Sequence, residues 1–439
     1  MAATVPADLR QQRSLPSRVR GVGIDGASVL TVYLVLLLAI PSVMVVAPLG
    51  SAGAPSTLTA VALFLVWLWF QVDRTARTAP HARPVRRAAL AWLLVMLVVY
   101  AHAMASPISF DEISPADFGM LKLVGFTGVL LVATDGLSGR DRYRTFIERL
   151  VLAVFVVAVL GLLQFVTRDV LVDRVQIPGL TSGSTGELIN RGGLPRPSGT
   201  STHPIEYGVV LSMAFPLAVV HALWAPRRRW LYAVVTAVIA VDIFLSSSRS
   251  ALVCSAVAMV VLALTWSAAL RLKAIVVAAV LAGLVYVAVP SSIGATLKLF
   301  TQAGDDPSIA SRTGSYDLVA AFVAQSPVVG RGFGTFLPKY WILDNGYLGL
   351  LIEGGVLGLG GLVVLIGSAA WCARAARARL TDDFDRQLGQ GLLAAVLSGA
   401  AGLAFFDTFG FPQSAGSFFL VLGLAGGLYR IAREDEGPG

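Results

Sequence analysis

Twelve long apolar stretches run along this chain, at residues 28–48, 57–72, 88–105, 118–134, 149–167, 205–224, 230–247, 250–269, 272–290, 346–371, 388–407 and 412–431. Nothing else in it constrains the fold as strongly. A membrane-crossing helix needs about 20 such residues, and in hydrocarbon the backbone must satisfy its own polar groups. The expected fold is an all-α integral membrane protein of about twelve transmembrane helices. The second and seventh stretches are short, and a very tight turn around Ser246–Ser250 joins the seventh to the eighth. Composition agrees: 14% of the 439 residues are charged, where a soluble domain carries about 25%.

Charge orients the helices. Alternate connections hold 24 of the 34 Lys and Arg and are net +12, against −4 for the rest of the chain. Basic loops stay in the cytoplasm, so both termini are expected there, with the chain in the inner or plasma membrane. The basic balance thus belongs to membrane orientation and argues against a nucleic-acid partner. Cys254 and Cys372 lie in apolar runs and suggest no disulfide framework. The small residues of "APLGSAGA" leave open a cleaved signal in the first span, although the long N-terminal tail speaks against it.

Two connections expected on the outer face are long, 168–204 and 291–345, and loops of that length are usually functional or disordered. The other outer connections are short, and one, "SPISFDEISPAD", is acidic. Seven ionisable residues fall in the outer half of the membrane: Lys122, Glu206, Asp242, Arg249, Asp344, Glu353 and Asp407. Charged groups at such depth face a bundle interior or a water-filled cavity, so together they point to a polar cavity open to the outside. Arginines on the same side (Arg196, Arg249, Arg312, Arg331) suit a phosphate ligand, because the guanidinium fork stays charged and binds bidentately.

Four stretches in order, "RPSGTSTHPIEYG" (196–208), "SSSRSAL" (246–252), "SRTGSYDLVAAFVAQSPVVGRGFGTF" (311–336) and "DNGYLGLLIEGGVLG" (344–358), resemble the O-antigen ligase and polymerase family of membrane glycosyltransferases. The resemblance covers about 196–358. It implies a GT-C-like helical architecture with two long outer loops, a polyprenyl-diphosphate-linked oligosaccharide as donor, a glycan or glycolipid as acceptor, and no metal or other cofactor. It divides the chain into a tail (1–27), N-terminal helices and the start of the first long loop (28–195), a core (196–371), and C-terminal helices with a tail (372–439). Ligases of the family carry His-Asn, nine residues, then Gly-x-x-Gly. Here Asn345 precedes Gly355 and Gly358 at that spacing, and Asp344 stands at the histidine position. By resemblance Arg196 and Arg249 hold the diphosphate, with Arg312 and Arg331 in the second loop, and His203 and Asn345 complete the expected substrate-binding set.

Transfer to a sugar hydroxyl needs a general base and charge relief on the leaving phosphate. Asp344, at the mouth of a span, is the candidate base, with Glu206 and His203 next. Asp or Asn before a span also caps a helix, and both roles hold if Asn345 caps while Asp344 faces the cavity. Glu353 lies about 13 Å deeper by helical rise and suits a structural partner of another polar group. Gly354 and Gly358 form a face that lets a helix approach closely. Three signals carry no chemistry here: "DDFD" (382–385) sits on a short cytoplasmic loop, "GRGFG" (330–334) lacks the context of a nucleotide loop, and the four histidines make no zinc pattern. A twelve-span transporter or lipid flippase is the competing reading. It fits less well because transporters favour similar halves and a midplane site.

Overall fold

The computed structural model describes residues 25–72, 83–182, 188–191, 193–290 and 314–436. Thirteen α-helices occur among them: α1 (Gly26–Leu38), α2 (Pro55–Val72), α3 (Pro84–Ala105), α4 (Phe110–Asp135), α5 (Gly139–Thr167), α6 (Pro204–Trp224), α7 (Arg229–Leu245), α8 (Arg249–Ala263), α9 (Ala268–Ala288), α10 (Tyr316–Gln325), α11 (Gly346–Arg379), α12 (Asp383–Gly402) and α13 (Pro412–Glu434). Each apolar stretch falls on one of them. Eight (α2, α3, α4, α5, α6, α9, α11 and α13) are long and apolar enough to cross a membrane. The chain is a mostly helical, multi-pass membrane protein. Two antiparallel strand pairs, Met44–Val45 with Thr181–Ser182 and Asn190–Arg191 with Leu194–Pro195, are the sheet structure among the described residues.

Several boundaries differ from the sequence expectation. The first span ends at Leu38 instead of residue 48, because Pro41 cannot continue a helix and Ser42 N–H is drawn to Thr200 O. The acidic "SPISFDEISPAD" is not a loop throughout: Ser109 opens α4 with a capping box to Glu112, which satisfies two free backbone donors at once. The eleventh span is displaced toward its start, α12 running from Asp383 to Gly402.

α13 is the axis of the bundle and is buried along its whole apolar length. It can be central because glycines let α4 press against it. A Cβ on Gly423 would lie 2.4 Å from Leu130 O, and one on Gly427 2.7 Å from Ala133 O. A polar side chain fastens the contact, with Thr134 Oγ1 donating to Gly423 O at 3.2 Å. Around α13 pack α4, α11, α12, α6 and α3. α9 is the opposite case, with Val285 its one buried residue.

The two ends of the bundle differ. At one end Arg83 and Arg86 share Asp135, and Arg144 holds both Asp382 and the buried Asp385. These contacts explain "DDFD": Asp382 also caps α12 by accepting from Asp385 N–H. The other end gathers the starts of α4, α6, α11 and α13, and carries the residues considered next.

Candidate functional site

The stretch "DNGYLGLLIEGGVLG" forms the start of α11. Asn345 is its N-cap, its Oδ1 accepting from Tyr347 N–H and Leu348 N–H at 3.0 and 3.1 Å. Gly346 N–H donates to Leu403 O and Phe406 O, and Tyr347 OH to Ala400 O. The start of α11 is thereby clipped to the end of α12, and Asp344 stands half-buried at the clip.

Nine residues into α11 the helix breaks. Gly355 adopts φ 61° and ψ −165°, a region essentially open to glycine alone. In an unbroken helix Val356 and Leu357 N–H would donate to Ile352 and Glu353 O. Instead they donate to Pro327 O and Val328 O, while Ile352 O and Glu353 O accept from Arg331 and Gly332 N–H. The segment 327–332 thus exchanges hydrogen bonds with the opened turn, and these four freed groups all have partners. Irregular backbone inside a membrane protein is tolerated on that condition. The glycines of "GRGFG" serve this approach, since a Cβ on Gly330 would sit 2.4 Å from the Glu353 carbonyl. The Glu353 carboxylate extends the junction, its Oε1 accepting from Phe336 N–H at 3.1 Å. Trp92 of α3 donates to Gly358 O at 2.8 Å, and Met96 of the same helix packs against Gly354 and Gly358.

Arg331 also fastens this loop. Its Nη2 donates to Glu112 Oε1 at 2.6 Å, its guanidinium lies against Phe322 and Tyr340, and Tyr340 OH donates to the same Glu112 oxygen. The charge of Arg331 is therefore committed to α4. Arg312 lies outside the described residues.

Arg196 and Arg249 come together at the turn between α7 and α8. Arg196 Nε donates to Ser246 O at 3.1 Å, and Arg249 is the first residue of α8, directly after its N-cap Ser248. The loop that brings Arg196 here is mostly buried and tied at several points. Gln164 of α5 accepts from Ser198 and Gly199 N–H and donates to Gly199 O and Val170 O. Thr200 bonds Leu38 O and Gln413. His203 ends the loop as N-cap of α6, its Nδ1 accepting from Ile205 N–H at 3.1 Å. Burial, and after it the charge of Arg196, push the imidazole down to about 4. His203 is thus neutral at pH 7 with its proton on Nε2, which makes it a donor and not a base.

Glu206, the other reserve base, is occupied as well. Its carboxylate accepts from Thr202 N–H and Oγ1, and from Gln413 and Ser414 N–H. It joins the starts of α6 and α13. Asp242 is buried beside Tyr207 OH between α5, α6 and α7, in the helix packing and not at the mouth. That leaves Lys122 and Asp407 with Asp344. Asp407, in the turn 403–411, lies within electrostatic reach of both. It keeps an exposed side chain although protein surrounds it closely, so it faces a recess. The same turn bridges to the arginine side, because the Phe411 ring lies 6.2 Å from His203 and 5.4 Å from Phe406. A donating, cationic flank and a carboxylate flank therefore meet at one end of the bundle.

Gln164, Gln413 and Glu112 organise this end and were not singled out in the sequence. A single amide in an apolar run was the available signal for Gln164. Gln413 and Glu112 look like ordinary helix-start residues.

Residues 233–363 match a family model described as O-antigen ligase. The match runs from α7 through the Arg249 turn to beyond the Gly355 break. No curated protein matches the chain.

Proposed function

From the premise that residues 233–363 carry the O-antigen ligase family's domain, we propose that the chain is an outer-face glycosyltransferase with a GT-C-like, twelve-span architecture. Its donor is an oligosaccharide on a polyprenyl diphosphate, and it extends or attaches a cell-surface glycan. Both termini lie in the cytoplasm and the described site opens on the far side of the inner or plasma membrane, as the distribution of Lys and Arg supports.

One observation carries the reading: the buried loop 196–203 and the turn 403–411 bring the Arg196–Arg249 turn and Asp344 to the same end of the bundle. In the reaction the arginines and the Nε2–H of His203 hold the diphosphate. Asp344 takes the proton from the acceptor hydroxyl as that oxygen bonds to the anomeric carbon. The bond from that carbon to the diphosphate breaks, and the carrier leaves with both electrons, stabilised by the arginines. One displacement inverts the anomeric centre. Asn345 keeps Asp344 at the mouth by capping α11 and does not itself need to touch substrate. Polymerisation is favoured over ligation because the ligase histidine is Asp344 here.

The test is incubation of purified protein with a polyprenyl-diphosphate oligosaccharide, reading longer glycans and free carrier diphosphate. Asp344→Asn loses about 10²–10⁴ in rate and retains donor binding, and Asp344→His keeps part of the activity. Arg249→Lys keeps charge but not the fork and is strongly impaired. Wild-type turnover in Asp344→Asn removes the base from this residue. For orientation, a cysteine at the exposed Gln176 labels from outside intact cells.

A further inference from the structure

Lys122 has no role in the reading above. It sits twelve residues into α4, about 18 Å from the helix start by helical rise. Its ammonium lies 4.4 Å from the Phe118 ring centroid. Among the described residues it forms no hydrogen bond and no ion pair within 4.0 Å. An ammonium carries three donors, and leaving them unmet at such depth is costly. Two carboxylates are close enough to act on it, Asp407 and Glu206. Neither closes onto it. Glu206 is filled by its four donors, and Asp407 is held back by backbone N–H groups of its own turn, Phe409 and Gly410.

The result is an ammonium and a carboxylate within electrostatic reach of each other across a gap wider than an ion pair. The half-buried ring of Phe118 lies against the ammonium. Donor, acceptor and apolar face are the three elements that recognise a pyranose, whose hydroxyls need both hydrogen-bond partners and whose C–H face packs on rings. An anion is a poorer fit, since Asp407 and Asp344 would repel it.

We propose that Lys122 and Asp407 form a sugar subsite that binds the acceptor residue, Lys122 donating to its hydroxyl oxygens and Asp407 accepting from its hydroxyl protons. This rests on the proposed glycosyl transfer. The sugar is the acceptor's because Asp407 neighbours Asp344. The base must touch the attacking hydroxyl, so the groups beside the base touch the sugar that bears it. The donor's diphosphate is held on the other flank, at Arg196 and Arg249.

Steady-state transfer between a polyprenyl-diphosphate oligosaccharide and a defined soluble acceptor glycan tests the subsite. Losing a hydrogen bond from a charged donor weakens binding by roughly 10- to 100-fold. Lys122→Gln therefore raises the acceptor KM by that factor, leaves the donor KM within twofold, and elutes like wild type on gel filtration. Lys122→Arg restores part of the acceptor affinity. Monodeoxy acceptors give the sharper reading: the one lacking the contacted hydroxyl is penalised by wild type and not by Lys122→Gln, a coupling that a purely structural lysine does not show. A rise confined to the donor KM means that Lys122 holds the carrier's phosphate, and unchanged constants with equal penalties across the deoxy series mean that it binds no substrate. Either result overturns the subsite. Absence of transfer by the wild-type protein instead overturns the glycosyltransferase reading itself.

Discussion

Replacing Gly355 by alanine separates the broken helix from a regular one. The substitution costs energy only in the broken form. Alanine at φ 61°, ψ −165° is strained by about 1–3 kcal/mol, and its Cβ would lie 2.4 Å from the carbonyl carbon and oxygen of Val328. A straight α11 escapes both penalties. Val356 and Leu357 N–H then return to Ile352 O and Glu353 O, and the segment 327–332 loses its four bonds to the helix. Strain alone shifts the balance toward the undocked loop by roughly 5- to 150-fold. The assay is thiol labelling of a cysteine at Thr335, which is fully buried beside the junction. Gly355→Ala speeds its labelling by that factor and lowers transfer in parallel. Gly360→Ala, whose Cβ meets nothing within 4 Å, leaves both unchanged. If Thr335→Cys labels at the same rate with and without Gly355→Ala, the glycine is not what keeps the loop inserted, and the reasoning is refuted.

Arg331→Met strips the cation from the buried Glu112 and lowers stability in detergent by about 1–3 kcal/mol, less than for a fully enclosed pair because Arg331 is partly exposed; an unchanged Tm contradicts the clamp. Glu206→Gln leaves backbone N–H groups at the start of α6 or α13 without an acceptor and lowers the Tm by a similar amount. For His203 folding depresses the pKa from 6.5 to about 4, so the stability it supports is complete above about pH 6.5 and is lost as the pH falls toward 4. His203→Asn, which caps α6 without titrating, flattens the pH dependence of the Tm across that window, and an identical pH profile in the two proteins shows that the imidazole does not cap.

Hydropathy was enough to place the helices, because a backbone in lipid has one local solution per apolar stretch. It was also enough to mark Arg249, Asp344 and Asn345, since charged or capping residues stand out against such stretches. Ends of helices were less legible. Pro41 closes α1 early, and the Ser109–Glu112 box opens α4 inside what reads as an acidic loop. Relations between distant segments were not legible at all. Nothing local in "GRGFG" says that its backbone completes a helix broken more than twenty residues later, because those hydrogen bonds join main-chain groups that carry no sequence signature. Nor does the sequence distinguish Glu206, Asp242 and Asp407, three acids at similar apparent depth. Packing turned one into a double cap, put one inside the helix core and left one facing a recess. For Glu206 and Asp242 the rotation of α6 and α7 about their own axes decided it, and that rotation is set by the neighbours each helix packs against; for Asp407 the path of the turn 403–411 decided it.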